Sequence, residues 1–136
     1  MATFEEQKEF ALSQLAPYYA DPTTCGYNKK NASCEYLTPD GKMCVAGKNM
    51  INPQEWHEDK GIEDILAENE NKQEGLFKPE VVGILNVYQW GYMQRIHDNI
   101  AVALDEEIAL KGRINGLGLF TFEELVERAA SLKKVE

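Results

Sequence analysis

The chain lacks any run of about 18 apolar residues, so no segment reads as a membrane-spanning helix. Its amino end, "MATFEEQKEFALSQL", lacks the basic start and apolar middle of a signal peptide and is instead acidic and amphipathic. The expected location is therefore the cytoplasm. Basic residues are also scarce: 14 Lys and Arg stand against 23 Asp and Glu, a net charge of −9. Such a balance has the wrong sign for a generic nucleic-acid binder, which needs cations to displace phosphate counterions. There are only three cysteines. An odd count argues against a closed disulfide framework, and in the cytoplasm thiols stay reduced. Absent too are Cys-x-x-Cys and His-x-x-x-His pairs, a phosphate-binding Gly-x-x-x-x-Gly-Lys, a dinucleotide Gly-x-Gly-x-x-Gly and a Gly-x-Ser-x-Gly elbow.

What remains has the profile of one globular domain spanning residues 1–136. Hydrophobic residues make up 43% and charged residues 27%, so the chain can fold around a core without staples. The negative charge is not spread evenly. Residues 55–74, "EWHEDKGIEDILAENENKQE", hold eight carboxylates and two lysines, which is −6 of the −9. The stretch is either a solvated helix and loop or a patch that docks on a basic surface. In the docking reading the binding residues are Trp56, Glu58, Asp59, Glu63, Asp64, Glu68 and Glu70.

Two helix starts carry the same signal. Thr3-Phe4-Glu5-Glu6 and Thr121-Phe122-Glu123-Glu124 read as capping boxes, a hydroxyl bonding one amide while the glutamate returns to another. The first helix is expected to run to about Leu15 and stop before Pro17; the second runs to about Leu132. Short helical turns are expected at 53–57 and 62–66. The longest helix is expected to begin at Lys78-Pro79-Glu80, with a stripe through Val81, Leu85, Tyr88, Tyr92 and Ile96 widened by Met93, His97, Ile100 and Leu104. Gly83 and Gly91 could divide it in two. The glycine-bearing "KGRINGLGLF" and the segment 19–33 read as loops.

"CEYLTPDGKMCVAG", residues 34–47, reads as a β-hairpin turning at Pro39-Asp40-Gly41. Strand alternation would put Cys34, Tyr36, Cys44 and Ala46 on one face, with Glu35, Leu37, Met43 and Val45 on the other. The two sulfurs then sit diagonally, on positions about 7–8 Å apart, too far for an unstrained disulfide. The expected fold class is α+β: helix-rich, with one small β-hairpin or short antiparallel sheet.

The motif Cys-x-Tyr, a turn, Gly-x-x-Cys, a small pair ending in Gly, Ile-x-Pro and, some forty residues on, Gln-x-Ile-His-Asp resembles a family of small phage and bacterial proteins with no established activity. It falls on Cys34, Tyr36, Gly41, Cys44, Ala46, Gly47, Ile51, Pro53, Gln94, Ile96, His97 and Asp98, covering residues 34–100 or so. The order of Val45 and Ala46 is reversed relative to that pattern. The resemblance implies a phage or prophage source and hence a host protein as partner. It assigns no catalytic role.

Three chemistries are open to these residues. No cofactor is expected; a zinc ion, as the alternative, would take Cys34, Cys44 and His97. A nucleophilic Cys44 with His97 as base would make the protein a Cys-His hydrolase. Asp98 would not orient His97 within a helix, because adjacent side chains leave the axis about 100° apart. The plain alternative packs the thiols in a small core, with His97 bonded to a hairpin carbonyl. A small-molecule sponge for a defence nucleotide would need converging cations, for which Lys29, Lys30, Lys48 and Arg95 are the candidates. The leading expectation is a small acidic host-modulating or anti-defence protein that binds protein without catalysis, with homo-oligomers allowed.

Overall fold

The computed structural model describes residues 2–28, 33–55, 61–69, 72–102 and 107–134. Its first helix, α1 (Phe4–Ala20), starts where the sequence places it. The Thr3 hydroxyl accepts the Glu6 amide at 3.1 Å, and the Glu6 carboxylate accepts the Thr3 amide at 3.1 Å. The end differs, because Pro17 lies inside the helix rather than after it. An interior proline costs about 3 kcal/mol. The residues on either side of it, Ala16 and Tyr18, are buried, and the Tyr18 hydroxyl donates to the Met43 carbonyl at 2.7 Å. Burying a large side chain returns roughly 1.5–3 kcal/mol, enough to carry the helix through.

Helix α2 (Ile62–Glu68) buries Ile62, Ile65 and Leu66 and turns Asp64 and Glu68 outward. The long helix, α3 (Val87–Val102), starts nine residues later than the Lys78 expected from the apolar stripe. Pro79–Val81 forms only a 3-10 turn, and Gly83 takes a φ of +82° that breaks the path. The start is fixed by a third reciprocal cap: Gln89 N–H donates to Asn86 Oδ1, and Asn86 N–H to Gln89 Oε1, both at 2.8 Å. Its inward face consists of Trp90, Met93, Ile96, His97 and Ile100, whereas Tyr88 is 71% exposed. Of the stripe read from sequence, Val81, Leu85 and Ile96 are buried, Tyr92 is half-buried and Tyr88 alone faces solvent.

The segment expected to be a glycine loop is helix α4 (Glu107–Leu117). Leu110, Ile114 and Leu117 are buried at spacings of four and three, which anchors the helix despite its glycines. At Gly116 a side chain would run into the Tyr92 ring of α3, so the glycine permits close helix contact. Gly118, with φ +73°, ends the helix, its amide bonded to the Ile114 carbonyl. Helix α5 (Phe122–Lys134) begins with the second expected box, Thr121 and Glu124 bonding reciprocally at 2.9 and 3.2 Å.

The protein is mostly α rather than α+β, and the 34–46 hairpin does not form. Its turn is present: Thr38 N–H donates to Lys42 O at 2.8 Å, and Gly41 has the left-handed φ of +89°. The flanks do not pair, because the residues before the turn bond elsewhere. Glu35 N–H donates to Gly26 O at 2.7 Å, continuing a two-residue ladder of Tyr27 and Asn28 with Cys34 and Ser33. Alternation fails as well, since Cys44, Val45 and Ala46 are all fully buried. A 44–47 segment wrapped on every side has no solvent face to alternate with.

Helix α1 packs on α3 and α5, and α3 also packs on α2 and α4. At the centre, Phe77 stacks on Trp90 at 4.4 Å while Phe10 meets it edge-on at 5.8 Å. Among the described residues no helix is long and apolar enough to cross a membrane.

Candidate functional site around His97

The spacing of Gln94, His97 and Asp98 puts three polar side chains on one face of α3. Opposite them run three backbone segments, at 25–27, 35–36 and 43–47, that approach one another without room for side chains. A Cβ on Gly26 would overlap the Cys44 amide nitrogen and the Glu35 carbonyl, and one on Gly47 would overlap the Tyr36 carbonyl. The α3 side chains bond to this crossing. Gly26 N–H donates to His97 Nε2 at 3.1 Å, and Ala46 N–H donates to Gln94 Oε1 at 3.2 Å. Asp98 Oδ1 accepts from Gln94 Nε2 at 3.0 Å and lies 2.9 Å from His97 Nδ1.

That network sets the state of the imidazole. Because Nε2 accepts an amide N–H, the ring proton sits on Nδ1 and is donated to Asp98. The adjacent carboxylate does orient the histidine, although the helix continues to Val102. Nδ1 lies close to the backbone and the aspartate is short, so the two meet despite the 100° between them. The partner of Nε2 is an amide rather than the expected hairpin carbonyl. His97 is 0% exposed, and Tyr18 meets it edge-on at 4.7 Å.

Cys44 is also 0% exposed, and its sulfur accepts Gly47 N–H at 3.3 Å. Burial pushes its thiol up to about 12, which outweighs the lowering by the Gly47 amide. Cys25, likewise buried, is raised to about 12. A nucleophilic cysteine needs a thiolate and a base with a free lone pair. Here the thiol stays protonated and the lone pair of His97 is taken by Gly26. Both imidazole nitrogens have protein partners, and the described residues contain no group of three His, Cys, Asp or Glu placed to hold a metal. The Cys34 side chain lies outside the described set; its backbone pairs with Tyr27.

Of the motif residues, then, Tyr36, Gly41, Cys44, Gly47, His97 and Asp98 are placed. All but the turn residue Gly41 converge on the crossing. Of the docking residues, Trp56, Glu58, Asp59 and Glu70 lie outside the described residues. Glu63 lies against α3, half-exposed: its Oε1 accepts from Arg95 at 2.6 Å, and its side chain fills the space over Gly91. Asp64 and Glu68 are exposed on α2. Of the cations considered for a nucleotide, Lys29 and Lys30 lie outside the described residues. Arg95 is held by Glu63 and lies over Tyr92. Lys48 donates to the Gln14 carbonyl at 3.1 Å and sits over the Tyr18 ring, and burial lowers it to about 8.

Sequence reasoning missed Gly26, Tyr18 and the Asn86 cap. Only the Asn-x-x-Gln spacing of the cap could have been read in advance. No protein-family model, curated protein or solved structure matches this chain.

Proposed function

We propose that the protein acts by docking its acidic surface on a basic face of another protein, without catalysis. The observation that carries this reading is that four of the described cations are paired with carboxylates of the same chain. Arg128 binds Glu9 through two bonds of 2.8 Å, Lys8 pairs with Glu124, Lys111 with Glu107 at 3.2 Å, and Arg95 with Glu63. Such pairs add little stability at a surface. They tie up those four cations, and with a net charge of −9 carboxylates dominate what a partner meets: Glu55, Asp64, Glu68, Glu74 and Glu80 are all exposed. Ile51, 45% exposed and four residues before Glu55, would supply the apolar contact such an interface needs. The resemblance of residues 34–100 to phage proteins favours a host protein as the partner.

The test is capture of the partner from host lysate, followed by titration of the purified pair at rising salt. Association should weaken steeply with salt, and the Asp64→Lys, Glu68→Lys double variant should bind at least tenfold more weakly with its melting temperature unchanged. Binding that ignores both salt and charge reversal overturns the reading.

A further inference from the structure

We draw no further inference here: the strongest candidate, the part-buried Lys48 amine held between the Gln14 carbonyl and the Tyr18 ring, carries nothing beyond its packing, because only burial sets it apart and no second observation among the described residues points to a ligand there.

Discussion

The backbone amide of Gly26 donates to Nε2 of His97 across 71 residues of sequence, at 3.1 Å and out of reach of water. That single bond joins the loop after α1 to the middle of α3 and assigns His97 to structure. Replacing His97 by Ala leaves the Gly26 N–H without its acceptor, leaves Asp98 with only the Gln94 donor, and opens a cavity beneath Tyr18. The expected loss is about 3 kcal/mol. Thermal melting should show it as a drop of about 10 °C.

The backbone crossing makes a prediction about glycines that separates packing from propensity. Gly26→Ala and Gly47→Ala each force a methyl into backbone atoms, with a cost of several kcal/mol or failure to fold. Gly112→Ala, in a helix with nothing within 4 Å, should stabilise by about 0.5–1 kcal/mol. Urea denaturation of the three variants checks the ordering.

Alkaline pH should unfold the protein through its thiols. Cys25 and Cys44 rise from 9.0 to about 12 on folding, so the folded state keeps protons that the unfolded state loses. Their contribution is complete below pH 9 and disappears as pH rises toward 12, at about 1.4 kcal/mol per pH unit for each thiol. Burial also raises Tyr18 and Tyr36, which steepens the fall above pH 10. Lys48 acts in the opposite sense: lowered from 10.5 to about 8, it costs stability below pH 8, and that cost fades between pH 8 and 10.5. Urea midpoints across pH 7–11 should therefore pass a maximum near pH 9 and then fall, with a shallower fall for Cys44→Ala.

The helix caps are worth testing because two came directly from sequence and one did not. Thr3→Ala, Thr121→Ala and Asn86→Ala should each cost about 1 kcal/mol in chemical denaturation. An effect at Asn86 equal to the other two would confirm that α3 begins at Val87 because of its cap.

The elements legible in the sequence were those fixed by neighbours a few residues apart. The Thr3 and Thr121 boxes, the Gly41 turn and the short α2 depend on local bonds, and all are found. What could not be read depends on contacts far along the chain. Pro17 remains helical because Tyr18 reaches Met43, and α4 forms because Leu110, Ile114 and Leu117 find a core. The 34–46 hairpin fails because Glu35 finds Gly26 first. The stretches 34–47 and 94–98 meet directly where Ala46 N–H donates to Gln94, but the amide bonded to His97 comes from Gly26, outside both.

Cys44 and His97 are both buried and hydrogen-bonded within the protein, and the proposed docking function needs neither of them. The most direct measurement is the nitrogen NMR spectrum of the His97 imidazole near neutral pH, for the unaltered protein and for Cys44→Ala. A neutral ring protonated at Nδ1, with Nε2 coupled to the Gly26 amide and unchanged in the variant, is the predicted result. An imidazolium that reverts to a neutral ring when Cys44 is removed would reveal a thiolate–imidazolium pair and contradict the account.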